Sequence, residues 1–312
     1  METAPFYHDV AEAPEGGRAF FVKTKDNTRI RFALWGGGSR GLAVVFPGRT
    51  ECAEKYGRLA AVLNARGFSV VTIDWRGQGL SDRLNNSTAV GHVDDFSDYQ
   101  TDLNAVLAHP EVAAISGPRV MFAHSMGGCI GLRALLSGNT FDAAVFSSPM
   151  WGLNLPGALK HLAPILANVG TAIGMGAKIL AGQPKGFYLT REPFEGNNLT
   201  HDRDFWDYMR DQIVKYPELS LGAPSFNWLK CALAEFKYFD ASEMPSVPTH
   251  VFMGSAESVV CPEAIKKHSQ RFENGSFNEI GGGRHEVLME TPERQKQCWD
   301  SIDQFLDGQF KA

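Results

Sequence analysis

The run Val120-Met-Phe-Ala-His-Ser-Met-Gly-Gly128 constrains this chain more than any other. Apolar residues of strand character stop at Ala123-His-Ser125, and a helical pattern, Cys129 to Leu136, follows at once. A serine set between strand and helix without a loop sits on a strained turn with its hydroxyl clear of the backbone, the arrangement called a nucleophile elbow. Its neighbours two places away must be small for strand and helix to approach, and they are Ala123 and Gly127. Glycine is usual in the first of these places, so Ala123 is a departure. Small-x-Ser-x-Gly also arises by chance in a chain with 32 glycines, so the surroundings decide its meaning.

Those surroundings alternate strands and helices. Phe20–Thr24 and Arg29–Trp35 alternate apolar and polar residues about Asp26-Asn-Thr28 and predict an antiparallel hairpin. Leu42–Phe46, Phe68–Ile73 and Phe141–Phe146 read as strands buried on both faces, with helical spacing over Lys55–Arg66 and Phe96–Leu107. The pattern predicts an α/β fold, a mostly parallel central sheet with helices on both faces. Ligands of such a sheet bind at the carboxyl ends of its strands, where Ser125 falls.

The rhythm breaks at Ser147-Ser-Pro149 and resumes with Val247–Met253, a helix near Pro262–Arg271, a strand Phe277–Ile280 and a closing helix Thr291–Phe305. The expected organisation is a core of residues 1–149 and 245–312, with residues 150–244 inserted as a helical cap. Within the insertion Leu155, Leu159, Leu162, Leu166, Val169 and Ile173 make an apolar stripe at helical spacing. Such a stripe is either core packing or the wall of an apolar channel, with Leu159, Leu162 and Leu166 as the substrate-facing candidates. The glycines of Trp151–Leu180 argue against one rigid helix there.

Composition removes several classes of function. A net charge of −5 without a Lys/Arg cluster argues against nucleic acid and against an electrostatic anchor on anionic lipid. The five cysteines are scattered with no C-x-x-C pair, which fits reduced thiols in a cytosol better than disulfides or zinc. The first residues lack a basic segment followed by an apolar run, so no secretory signal is expected. The longest uncharged stretch, His161–Ala177, is interrupted by Pro164, Gly170, Gly174 and Gly176. It is also shorter than the ~20 apolar residues that span a bilayer. A cytoplasmic protein with no transmembrane segment is expected.

A serine hydroxyl needs a base near neutral pH, and the base needs an orienting acid. The acid and the base follow an elbow serine in the order acid, then histidine. Glu257 stands in Gly254-Ser-Ala-Glu257 after one resumed strand, and His285 follows Gly281-Gly-Gly-Arg284 after the next. Asp240 and Glu263 are rival acids. An oxyanion needs two backbone donors: the N–H of Met126 and, from the loop Phe46-Pro-Gly-Arg-Thr-Glu51, that of Arg49. The Arg49 guanidinium is expected to face water rather than a phosphate. His124 should point away from the serine by strand alternation and be structural. Asp74, Arg76 and Asp82 should fix their own loop.

The chain resembles the monoacylglycerol lipase and lysophospholipase branch of the serine α/β-hydrolases over nearly its whole length. The likeness is carried by Pro47-Gly-Arg-Thr-Glu-Cys-Ala-Glu-Lys-Tyr56, Asp74-Trp-Arg-Gly-Gln-Gly-Leu-Ser81, His124-Ser-Met-Gly-Gly128, Gly254-Ser-Ala-Glu257 and Arg284-His-Glu-Val-Leu-Met-Glu290. Leu219-Ser-Leu-Gly-Ala-Pro-Ser-Phe-Asn-Trp228 resembles the bacterial lysophospholipase-like members. The resemblance implies an α/β-hydrolase fold with Ser125 as nucleophile, His285 as base, Glu257 as acid, and Arg49 and Met126 as oxyanion donors. Eukaryotic monoacylglycerol lipases have histidine where Pro47 stands, and most relatives have aspartate where Glu257 stands. The implied reaction is hydrolysis of single-chain lipid esters through an acyl-enzyme, without metal or cofactor. The substrate would be a small lipid molecule, with at most transient contact with membrane lipid. A small-ester carboxylesterase, a thioesterase, an aminopeptidase and a non-catalytic module for an apolar ligand share the fold. Dehalogenases and epoxide hydrolases are disfavoured, since their nucleophile is aspartate.

Overall fold

The computed structural model describes residues 1–310 apart from Asn86, Pro156, Ala181 and Lys185. Its strands are β1 (Glu2–Thr3), β2 (Arg18–Lys23), β3 (Arg29–Trp35), β4 (Gly41–Phe46), β5 (Phe68–Ile73), β6 (Val90–Gly91), β7 (Arg119–His124), β8 (Ala143–Ser147), β9 (Ala223–Pro224), β10 (Thr249–Gly254) and β11 (Gly275–Ile280). Nine form one sheet in the order β1-β2-β3-β5-β4-β7-β8-β10-β11. From β5 to β11 neighbouring strands run parallel, while β1, β2 and β3 form an antiparallel edge. The hairpin, the buried parallel strands and the two resumed strands all lie where their patterns put them. Strands β1, β6 and β9, two residues each, had no pattern to show.

Alternation within each strand explains why the sheet is covered on both sides. In β4, Leu42, Val44 and Phe46 enter one apolar cluster, and Ala43 and Val45 enter the other. In β7, Met121 and Ala123 go one way and Val120 and Phe122 the other. The first cluster includes the elbow helix Met126–Leu136, and the second the closing helix Pro292–Gln309. Each fully buried aliphatic or aromatic side chain contributes roughly 1.5–3 kcal/mol, which is why strands with no polar face are stable here.

Between β8 and β10 no described residue joins the large sheet. This segment forms helices Leu159–Ala172, Tyr188–Arg191, Arg203–Lys215 and Phe226–Ala241. Leu159–Ala172 is one continuous helix despite Pro164 and Gly170. Its glycine is a contact residue: a Cβ at Gly170 would lie 2.4 Å from the Phe226 ring. The aromatic edge therefore takes the place of a side chain, and the glycine is not a helix stop. Helix Phe226–Ala241 joins the elbow-helix side of the core through Trp228, Leu229, Ala232 and Phe239. Arg133 and Glu235 pair at 2.7 Å between the two helices.

Candidate active site

Strand β7 ends at His124, and Ser125 turns the chain with φ 49° and ψ −119° before the elbow helix starts at Met126. A Cβ at Gly127 would lie 2.0 Å from the Phe46 carbonyl oxygen, so only glycine fits there. The methyl group of Ala123 has its room made elsewhere. It faces Gly131 of the elbow helix, where an added Cβ would stand 3.2 Å away.

The loops after β10 and β11 meet at the same end of the sheet. Gly254 and Gly283 are in backbone contact, and the Ala256 N–H donates to the Gly283 carbonyl at 2.9 Å. This brings His285 between the other two groups. Its Nε2 is 2.9 Å from Ser125 Oγ, and its Nδ1 is 2.7 Å from Glu257 Oε2. The other Glu257 oxygen accepts the N–H groups of Val259 at 2.7 Å and Val260 at 3.2 Å. Burial alone would raise this carboxyl, but His285 and the two N–H groups hold it down at about 2. An ionised carboxylate can only accept, so Nδ1 is the donor. In the neutral imidazole Nε2 is then free to accept the Ser125 hydroxyl proton. Asp240 lies elsewhere, paired with Lys267, and Glu263 accepts a contact from Cys261.

Two backbone donors are available beside Ser125. In the loop after β4, the Gly48 N–H is bound by the Glu51 carboxylate and the Thr50 N–H donates to Gln78 Oε1 at 3.2 Å. The intervening Arg49 N–H has no acceptor among the described residues, and neither has the N–H of Met126. Gln78 also donates to the Gly48 carbonyl at 2.9 Å, so the loop Asp74–Asp82 braces this turn. That loop is itself held by Asp74, which accepts from Arg31 at 2.6 Å, and by Arg76, which pairs with Asp102 at 2.7 Å.

Beneath the histidine lies a charged cluster that has no local sequence signature. The Lys55 ammonium bridges Glu51 and Glu286, the latter at 2.7 Å, and the Tyr56 hydroxyl donates to Glu51. His124 packs against His285 with ring centroids 4.8 Å apart and the planes tilted by 53°. Its Nδ1 is 3.1 Å from the Ser147 carbonyl and its Nε2 3.3 Å from Glu286. Both ring nitrogens face acceptors. Burial opposes protonation of His124, but Glu286 and Glu51 outweigh it and raise the pKa. Glu51, His124 and Glu286 have donor atoms spaced for a metal ion, but the Lys55 ammonium already sits between the two carboxylates. His124 makes no hydrogen bond to Ser125 among the described residues; its contacts are to Ser147, Glu286 and the His285 ring. His92 also bonds away from Ser125, to Ser225 and Asp94.

Ser125 and His285 open into a cavity of about 640 Å³ walled largely by apolar side chains, among them Leu153, Leu159, Leu166, Met209 and Trp228. Of the three expected leucines, Leu159 and Leu166 line the cavity and Leu162 is not among the lining residues. All three are about equally exposed, so the difference is one of direction on the helix. Leu159, Ala163 and Leu166 follow one helical row, and Leu162 sits to the side of it, where Ile165, Val169 and Ile173 are also exposed. The inserted segment also braces the site directly. The Leu199 carbonyl accepts the Glu286 N–H at 2.8 Å, and the Thr200 carbonyl accepts from Arg284 at 3.0 Å. No helix among the described residues is long and apolar enough to cross a membrane.

Comparisons with known proteins agree with this architecture. The chain is 28% identical to a probable lysophospholipase L2 of Haemophilus influenzae over 274 residues, 86% of this chain and 85% of that protein. It is 29% identical to lysophospholipase L2 of Escherichia coli over 278 residues, 85% of this chain and 80% of that one. A soluble variant of monoglyceride lipase from Saccharomyces cerevisiae, solved with a substrate analog, superposes with a TM-score of 0.73 at 18% identity. The match covers 93% of this chain and 95% of the yeast chain and shows that the α/β-hydrolase fold is shared. The model of the family described as serine aminopeptidase, S33 matches residues 37–292, and the chain belongs to that family of serine hydrolases.

Proposed function

We propose that this protein cleaves the carboxylic ester of single-chain lipids, lysophospholipids or monoacylglycerols, through an acyl-enzyme on Ser125. One observation carries the reading: the 2.9 Å contact between Ser125 Oγ and His285 Nε2 opens directly onto a largely apolar cavity. As Oγ attacks the ester carbonyl, His285 takes its proton, and the N–H groups of Arg49 and Met126 receive the oxyanion. Collapse breaks the acyl carbon–oxygen bond, and His285 returns the proton to the departing alkoxide. Water then repeats the sequence and releases the fatty acid. Glu257 holds the ring tautomer and stabilises the imidazolium. No metal or cofactor enters these steps.

The names of the two bacterial relatives and of the yeast neighbour support a lipid ester. A peptide substrate would require an acidic group for its terminal ammonium. The carboxylates among the described lining residues, Glu51 and Glu286, are already engaged by the Lys55 ammonium. A module that only binds an apolar ligand would have no use for an aligned serine, histidine and glutamate. Residues 150–244 act in this reading as a cap. The exposed Ile165, Val169 and Ile173 make transient contact with a lipid surface while the protein works in the cytoplasm, where its five free cysteines suit a reducing medium.

The deciding experiment is turnover of monoacylglycerols, lysophospholipids and short chromogenic esters, with Ser125→Ala as control. Long single-chain esters should lead, Ser125→Ala should lose roughly 10⁴-fold or more in kcat, and a fluorophosphonate should label Ser125 alone. Labelling of another serine, or equal turnover of acetyl and dodecanoyl esters, overturns the reading.

A further inference from the structure

Arg49 is expected from the sequence to extend its guanidinium into water. It does not. The guanidinium is enclosed, with Cζ 5.3 Å from the Trp228 ring centroid, and Nη2 donates to the Gly222 carbonyl. It occupies a slot beside the small β6–β9 ribbon. A Cβ at Gly91 would lie 2.6 Å from Nη2, so that glycine makes the room.

What the slot lacks is negative charge. The other enclosed cations are held by carboxylates or, in one case, by four carbonyls. Arg31 pairs with Glu54 and Asp74, Lys55 with Glu51 and Glu286, and Arg76 with Asp102 and Asp26. Arg83 has no carboxylate in contact, but it donates to the carbonyls of Gly77, Gly79, Glu218 and Ser220. Arg49 has no carboxylate within ion-pair distance among the described residues and makes a single hydrogen bond. Its Nε is buried without a partner. Desolvation, uncompensated, lowers its pKa to about 10, which still leaves it charged near neutrality. A half-buried, unpaired cation is costly to hold unless something negative arrives.

Arg49 lines the substrate cavity together with Ser220, Leu221 and Trp228. Its own main-chain N–H is one of the two donors proposed for the oxyanion. The arm from an arginine Cα to its guanidinium is about as long as the glycerol bridge from the ester carbon of a lysophospholipid to its phosphorus. One residue can therefore hold the reacting carbonyl with its backbone and the headgroup with its side chain. We propose that the Arg49 guanidinium receives the phosphate of the substrate headgroup and makes the enzyme select lysophospholipids over uncharged monoacylglycerols. The proposal rests on the ester-hydrolase reading above and adds the headgroup to it. A guanidinium suits this task because its planar fork can meet two phosphate oxygens at once.

The test compares kcat/KM for 1-acyl lysophosphatidylglycerol and for the monoacylglycerol of the same chain length, in wild type, Arg49→Gln and Arg49→Lys. Wild type should prefer the phospholipid. Arg49→Gln should reduce that preference roughly ten- to a hundredfold, the usual effect of losing a hydrogen bond to a charged partner, and Arg49→Lys should retain part of it. Because the Arg49 backbone belongs to the proposed oxyanion site, the ratio of the two substrates is the readout. The rate of Ser125 labelling by a short neutral fluorophosphonate reports whether each variant is folded. A ratio that stays constant across the three proteins overturns the role of Arg49 while leaving the ester-hydrolase reading intact. Wild type that labels at Ser125 but turns over neither lipid overturns the earlier reading instead.

Discussion

His285 Nδ1 and Glu257 Oε2 are 2.7 Å apart, and the second oxygen of that carboxylate is occupied by two main-chain N–H groups. The acid is therefore oriented before the histidine reaches it. Glu257→Gln would present an amide where Nδ1 requires an acceptor and would favour the wrong tautomer. We expect a fall in kcat of roughly 10⁴-fold with little change in KM, and partial activity in Glu257→Asp. Steady-state kinetics of the two variants against Asp240→Asn checks this, since Asp240 bonds elsewhere and should be near wild type.

The same carboxylate makes stability depend on pH. Its folded value of about 2 lies below the ordinary 4.5, so its contribution is present above about 4.5 and is lost as pH falls towards about 2. Glutamine at that position does not titrate. The gap in urea midpoint between wild type and Glu257→Gln should accordingly be largest near neutrality and narrow at about pH 3.5. A gap that widens on acidification contradicts the assignment.

Lys55 compensates two buried carboxylates at once. Lys55→Met removes the ammonium shared by Glu51 and Glu286, and we expect a loss of about 3–5 kcal/mol in unfolding free energy. Mild acid should recover part of it by protonating one carboxylate. Denaturation curves at two pH values measure both effects.

On the helix Leu159–Ala172, Leu166 lines the cavity and Leu162 does not. Each methylene of an acyl chain buried there contributes up to ~0.8 kcal/mol, roughly a three- to fourfold step in kcat/KM. Leu166→Asp should therefore depress turnover of dodecanoyl esters far more than of acetyl esters. Leu162→Asp should leave turnover of dispersed esters near wild type. Equal effects of the two variants would mean that the row does not contact the chain.

The parts legible in the sequence are those that leave a local mark. Ser125 and Glu257 follow buried strands and His285 follows the exposed edge strand β11, and parallel strands bring their carboxyl ends to one side of the sheet, so chain order alone points to these three. The bond between Lys55 and Glu286 spans 231 positions and has no periodicity to betray it. An apolar stripe wider than one helical row does not say which row turns inward, so it does not separate Leu162 from Leu159 and Leu166. The glycine count misled at Gly170 because the ring that fills its space, on Phe226, comes from a later helix. Arg49 was assigned to solvent because nothing in its own segment announces the β6–β9 ribbon that encloses it.

The turn at Ser125 sets thermal robustness against chemistry. Its φ of 49° is one that glycine adopts without penalty and a side chain does not, and such residues typically cost about 1–3 kcal/mol. Ser125→Gly should melt at a higher temperature than Ser125→Ala while being equally inert. Selection of a mutant library for heat resistance alone would therefore reward glycine at this position, and the hydroxyl would be lost with the Cβ. Any search for a hardier form of this protein has to screen for turnover in the same step.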